Sequence, residues 1–302
     1  MIDMSVRFCG LEFINPVFTA SGTFSAKGSG RFYDYSRLGA VTTKSVSLEP
    51  WPGNAVPRIA ETRSGMLNSI GLENPGVEYF IAEELPLLRK GIIGASGTKV
   101  IASIAGHSPD EYAQAAVRLE AEDIDMLELN ISCPNVRGMS FGSSRCLAAT
   151  VTEAVRRAVD KPLIVKLTPN VTDIGEIARA VEAAGADAVS LINTLTGMRI
   201  DVKKRCYMLA NRTGGLSGPG ILPVAIRLVH QAARAVKLPV IGMGGIMSGE
   251  DAAEFLMAGA SAVAVGMAAL VDPTAPVRIL DELNSFMEEY GFTDIESIKT
   301  AL

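Results

Sequence analysis

Short apolar runs alternate with helical stretches along nearly the whole chain, and this rhythm restricts the possible fold more than any other feature. Val17–Ala20, Ala40–Lys44, Val100–Ile104, Met126–Asn130, Leu163–Lys166, Ala188–Ile192, Pro239–Gly242 and Ala262–Val265 read as strands. Helical segments are expected after most of them: a short one ending near Gly39, then Asp110–Glu122, Leu147–Val159, Asp173–Ala184, Leu222–Val236 and Gly249–Ala258. A last helix is expected from about Thr274 to Glu289. Strands that alternate with helices pair in parallel, because each crossover returns the chain to the same end of the sheet. Parallel strands are buried on both faces, which accounts for runs that are apolar throughout rather than alternating. Eight such units in 302 residues predict an α/β fold of the (β/α)8 TIM-barrel kind, one domain spanning 1–302. An open doubly wound sheet is the alternative. Arg7–Phe13 alternates around Gly10 and predicts a small N-terminal hairpin.

The bulk numbers exclude several classes of function. With 48% hydrophobic and 20% charged residues the composition is globular, and the net charge of -5 leaves no basic footprint for nucleic acid or anionic membrane. Met1–Arg7 carries no apolar signal region, and the longest apolar stretch, around Ala262–Val271, is too short to span a bilayer. Four cysteines (Cys9, Cys133, Cys146 and Cys206) without C-x-x-C spacing, and only two histidines, argue against a metal site. This cysteine usage points to a reduced, cytoplasmic protein.

Active sites of such barrels lie at the carboxyl ends of the strands. The stretch Leu127-Glu128-Leu129-Asn130-Ile131-Ser132-Cys133-Pro134-Asn135-Val136 begins as a buried strand and ends in polar, reactive side chains. Pro134 cannot continue the strand, so Cys133 is expected on a turn at its tip. A buried structural cysteine is the plainer reading, but the flanking amides favour a functional thiol. Lys44 and Lys166 also fall at strand tips, where a charge is costly unless it faces a site. Asn68, Asn130, Asn135 and Asn193, with Thr194, add amides and a hydroxyl suited to a planar heterocycle with alternating carbonyl and N–H groups. Gly242–Ile246 and Val265–Met267, after strands seven and eight, suit a phosphorylated ligand approached closely by the backbone. The segments Ser45–Pro75 and Arg199–Pro219 are long and follow strand ends, the usual place for lids. With no carboxylate pair and no Ser-His-Asp set, Cys133 is the available general base.

These motifs together resemble the class 1 dihydroorotate dehydrogenases. The likeness rests on Asn130-Ile131-Ser132-Cys133-Pro134-Asn135, Lys166-Leu167-Thr168-Pro169-Asn170, Ile192-Asn193-Thr194, Gly214-Gly215-Leu216-Ser217-Gly218-Pro219 and Met243-Gly244-Gly245-Ile246, in that order along the chain. Within the class, Asn193–Asp201 and Ala210–Pro219 look most like type 1B. The resemblance implies an FMN-containing barrel that oxidises (S)-dihydroorotate to orotate in pyrimidine biosynthesis. Cys133 would take the C5 proton while C6 passes hydride to flavin N5. Lys44, Asn68, Ser69, Ile70, Gly71, Leu72, Asn130, Asn193 and Thr194 would hold the substrate, with Asn135 a further contact and the backbone of Ser69–Leu72 meeting its carboxylate. Ser21, Lys44, Ser45, Asn130, Lys166, Ile192, Gly218, Gly244, Gly245, Gly266 and Met267 would hold FMN. Ser103 stands where the family generally has a flavin-contacting asparagine, and Met267 where threonine or serine is frequent. The family plan also implies a homodimer core in a heterotetramer, whose partner subunit carries FAD and a 2Fe-2S cluster and delivers electrons to NAD. Competing readings are a fumarate-reducing 1A-like homodimer, a dihydropyrimidine dehydrogenase-like reductase, a Schiff-base aldolase using Lys166, and a non-catalytic barrel binding a phosphorylated metabolite.

Overall fold

The computed structural model describes residues 2–92, 97–132 and 141–302. Strands β1 (Val6–Phe8) and β2 (Leu11–Phe13) form the expected hairpin, turning through Cys9 and Gly10 at positive φ. β3 (Val17–Thr19) and β4 (Ala40–Thr42) follow, then the hairpin β5 (Ile59–Thr62) and β6 (Gly65–Asn68). β7 (Lys99–Ile104), β8 (Met126–Asn130), β9 (Leu163–Lys166) and β10 (Ala188–Leu191) come next. β11 (Leu195–Met198), the short pair β12 (Ile200–Asp201) and β13 (Cys206–Tyr207), and β14 (Thr213–Ser217) precede β15 (Val240–Gly242) and β16 (Ala262–Val265).

β3, β4, β7, β8, β9, β10, β15 and β16 close a parallel barrel, each strand beside its sequence neighbour and β16 returning to β3. This is the (β/α)8 architecture, and the open-sheet alternative is excluded by that closure. β8 shows how the pattern builds it. Every residue of Met126–Asn130 is buried, but alternate side chains face opposite ways. Leu127 and Leu129 join the layer between strands and helices, while Met126 packs inside the barrel with Ile101, Ile164 and Ala188. Helices Pro109–Glu120, Arg145–Arg156, Ile174–Ala183, Leu222–Ala235 and Gly249–Met257 form the outer ring. Their starts are fixed by side-chain caps such as Ser108, Asp173 and Ser248, each accepting a first-turn backbone N–H.

The structure departs from the sequence reading at several points, and three of them bear on the site's surroundings. After β3 the chain makes two 3-10 turns, Ser29–Arg31 and Tyr35–Arg37, in place of a helix. Residues 77–91 are helical although the sequence reading does not name a helix there. The two long segments are not irregular: Ser45–Pro75 supplies β5 and β6 and Arg199–Pro219 supplies β14, which with β11 just ahead of it form one antiparallel sheet, ordered β11-β14-β6-β5, with Asn68 opposite Gly215 and Met66 opposite Ser217. Neither segment shows strong alternation, because each finds its partner more than a hundred residues away.

Candidate active site

A cavity of about 320 Å³ opens at the carboxyl ends of the barrel strands, beneath this sheet. That is within the usual range of ligand sites, about 300–1,000 Å³. Of the residues singled out in the sequence, Ser21, Lys44, Ser45, Asn68, Ile70, Gly71, Leu72, Asn130, Lys166, Ile192, Asn193, Thr194, Gly218, Gly244, Gly245, Gly266 and Met267 line it. Cys133 and Asn135 lie outside the described residues. Ser69 and Ser103 do not line the cavity. Ser69 is buried: its N–H donates to Arg58 O at 2.7 Å and its hydroxyl accepts from Asn54 Nδ2 at 3.2 Å, so its backbone N–H is already spent. Ser103 is fully buried below the cavity floor, where its short side chain reaches Ser45 Oγ at 2.8 Å and Glu128 Oε1 at 3.1 Å.

Charge in the lining is one-sided. Lys44 and Lys166 are there and no carboxylate is, among the described residues. Lys166 is 4% exposed and donates to Ser21 Oγ at 3.1 Å. Burying an ammonium without a carboxylate beside it is costly, so the arrangement suits an anionic ligand. His107 and His230 are not in the lining; His107 stacks on Trp51, with ring centroids 4.0 Å apart.

The amides are held as a set. Asn130 Nδ2 donates to Ser45 Oγ at 3.0 Å, and its Oδ1 accepts from Ser132 Oγ at 2.9 Å. Asn193 Nδ2 donates to Ser132 Oγ at 2.7 Å, and Asn193 Oδ1 accepts from Thr194 N at 2.7 Å. The sheet above brings in Asn68, whose Nδ2 points at Gly215 O, 3.4 Å away. A Cβ on Gly215 would lie 1.9 Å from Thr194 Oγ1, so glycine there is what lets Thr194 reach the cavity. Asn74, in the same sequence motif as Asn68, is structural. Its Oδ1 takes Ser47 N and Gly76 N and its Nδ2 donates to Leu72 O, which folds the loop. Met66 and Ser217 also line the cavity and were not assigned to the site from the sequence, because only the pairing of β6 with β14 puts them there.

A flavin phosphate needs a place where the backbone comes close, and the turn after β15 supplies one. Gly244 and Gly245 take φ of 129 and 87, and a Cβ would lie 2.8 Å from Ala225 Cβ at the first and 2.9 Å from Leu222 Cα at the second. No side chain fits at either position, so the cavity wall there is backbone. Gly266, after the adjacent β16, continues it. These groups and the two lysines fit FMN.

The fold and site define a (β/α)8-barrel protein whose strand-tip cavity, beneath an antiparallel sheet, is lined by two lysines and a set of amides and suits an anionic ligand. Residues 3–287 match the family profile described as dihydroorotate dehydrogenase. A dihydroorotate dehydrogenase B (NAD(+)) catalytic subunit from Alkaliphilus metalliredigens is 52% identical over 304 residues, covering 100% of this chain and 99% of that one. The protein of the same description from Lachnoclostridium phytofermentans is 52% identical, covering 98% of each. The crystal structure of a DHODH from Eimeria tenella in complex with ferulenol superposes with a TM-score of 0.81 over 98% of this chain and 87% of that one, and at 23% identity it speaks to the fold alone. The chain belongs to the dihydroorotate dehydrogenase family, in its class 1B.

Proposed function

We propose that this chain is the FMN-binding catalytic subunit of an NAD-linked dihydroorotate dehydrogenase, oxidising (S)-dihydroorotate to orotate in pyrimidine biosynthesis. The observation that carries the reading is a strand-tip cavity with two lysines, no carboxylate among the described residues and a set of fixed amides, in a chain 52% identical to a dihydroorotate dehydrogenase B (NAD(+)) catalytic subunit. Lys44, Asn68, Asn130, Asn193 and Thr194 orient the planar substrate, and the lysines offset its carboxylate charge. Ser21, Ser45, Lys166, Ile192, Gly218, Gly244, Gly245, Gly266 and Met267 hold FMN, which when bound supplies a two-electron acceptor for the hydride leaving C6. Cys133 follows Ser132 in the chain and takes the C5 proton as general base; a thiol of ordinary pKa near 8.5 is partly ionised at neutral pH and above. A partner subunit with FAD and a 2Fe-2S cluster passes the electrons to NAD, around a homodimer of this chain in the cytoplasm. No helix of the described residues is long and apolar enough to cross a membrane.

The test is anaerobic bleaching of the flavin by dihydroorotate and by dihydrouracil, which lacks the carboxylate. Dihydroorotate should bleach it and dihydrouracil should not. The reverse preference would favour the dihydropyrimidine dehydrogenase-like reading, and a colourless protein would remove both.

A further inference from the structure

Glu128 is a buried acid for which the proposed chemistry has no use. It lies on β8 two residues before Asn130 and is 3% exposed. Glu128 takes part in none of the ion pairs among the described residues. Its two oxygens meet two serines instead: Oε1 the Ser103 hydroxyl at 3.1 Å, on β7, and Oε2 the Ser190 hydroxyl at 2.9 Å, on β10. A carboxyl group without a cation inside a barrel is costly enough to need a reason. An apolar residue would serve packing alone.

We infer that Glu128 is a positioning residue that sets the direction of the hydrogen bonds holding the active-site amides. Glu128 accepts at both oxygens, from Ser103 at one and from Ser190 at the other, so Ser103 spends its single hydrogen on Glu128. In the Ser45–Ser103 pair, 2.8 Å apart, Ser45 must then be the donor. With its own hydrogen spent, Ser45 can only accept from Asn130, and the amide must turn Nδ2 towards it. Asn130 Oδ1 is thereby left for Ser132 Oγ, and Ser132 in turn accepts from Asn193 Nδ2. The order of donors runs from the barrel interior to the cavity wall without a choice at any step. An amide presents a donor or an acceptor according to which way it is turned, so this order decides what Asn130 and Asn193 offer a ligand. Without the acid, each serine hydroxyl could point either way and both amide orientations would be open.

The inference rests on the proposed function for the identity of the ligand. The experiment measures orotate binding by calorimetry, and kcat and KM for dihydroorotate, in the wild-type holoenzyme and in Glu128→Gln, Ser103→Ala and Ser190→Ala. Glutamine keeps the shape but brings its own donor into the chain. Ser103→Ala cuts the chain while leaving the acid in place. Both should weaken orotate binding and lower kcat/KM by about 10-fold. Their double variant should be no worse than the poorer single one. Ser190→Ala removes a bond to the same acid outside the chain, so it should lower the melting temperature while leaving orotate affinity nearly unchanged. Wild-type affinity in Ser103→Ala would overturn the inference even if Glu128→Gln does not fold. So would an equal loss of affinity in Ser190→Ala, which would make the acid merely structural. Wild-type protein that does not bind orotate would instead overturn the proposed function, and the role of Asn130 with it.

Discussion

The two ends of this barrel are built from the same eight strands and have opposite interiors. At the amino-terminal end the hairpin β1–β2 closes the barrel with aromatic rings. Phe8 stacks on Phe13 with centroids 4.4 Å apart, Phe13 meets Phe18 at 5.0 Å, and Met126, Ile101 and Ile164 complete the fill. At the carboxyl end the inward positions of the same strands are Asn130, Lys166 and, below them, Glu128, Ser103 and Ser190. Two residues along β8, from Met126 to Glu128, change the interior from apolar to polar. Stability resides at the first end and chemistry at the second, because buried polar groups weaken packing and are kept where a ligand uses them.

The largest expected effect of breaking this division is at the apolar end. Phe13→Ala, at a fully buried ring, should cost about 3–5 kcal/mol by chemical denaturation while the folded fraction keeps wild-type kcat. A large drop in kcat at full folding would mean that the two ends are not independent. Next in size, Lys166→Ala should reduce bound FMN and make the flavin potential more negative, since a buried cation beside the ring is lost, with little change in melting temperature. Full FMN content and an unchanged potential would place Lys166 away from the ring. Asn68→Ala should be milder still, raising KM for dihydroorotate about 10-fold with FMN retained, as expected for one hydrogen bond to a charged ligand. Wild-type kinetics would separate the antiparallel sheet from substrate binding.

The smallest effect concerns Cys9, the thiol of the apolar end. Its Sγ donates to Asp187 O at 3.2 Å, and burial, with the nearby Asp187 charge, pushes its pKa from 9.0 up to about 12. Below pH 9 the folded and unfolded chains both keep this proton. Between pH 9 and 12 only the unfolded chain releases it, so stability falls as pH rises through that window. Cys9→Ala should flatten that part of the stability curve and leave the rest in place, as followed by denaturation at stepped alkaline pH.

The division between the two ends was partly legible in the chain. Period and strand chemistry are local, so all eight barrel strands were expected within a residue or two of where they stand, and Lys44, Asn130, Lys166 and Asn193 were expected at one face. What escaped was long-range. β5, β6, β11 and β14 are short and half-buried, and only their mutual pairing reveals a sheet. Ser69 sits one residue past Asn68, yet its N–H is taken by Arg58 across the hairpin. Ser103 was expected against the cofactor only through the resemblance, as the counterpart of a flavin-contacting asparagine. Its reach, set by one hydroxyl on a single carbon, stops at Ser45 and Glu128.

The two cysteines give the most direct test, one in the apolar hairpin and one following the tip of β8. Anaerobic stopped-flow bleaching of the flavin by dihydroorotate should be compared in Cys133→Ala and Cys9→Ala. The account predicts a rate about 10²–10⁴-fold below wild type for Cys133→Ala, with orotate binding retained, and a nearly unchanged rate for Cys9→Ala. A Cys133→Ala protein that bleaches at the wild-type rate would contradict it.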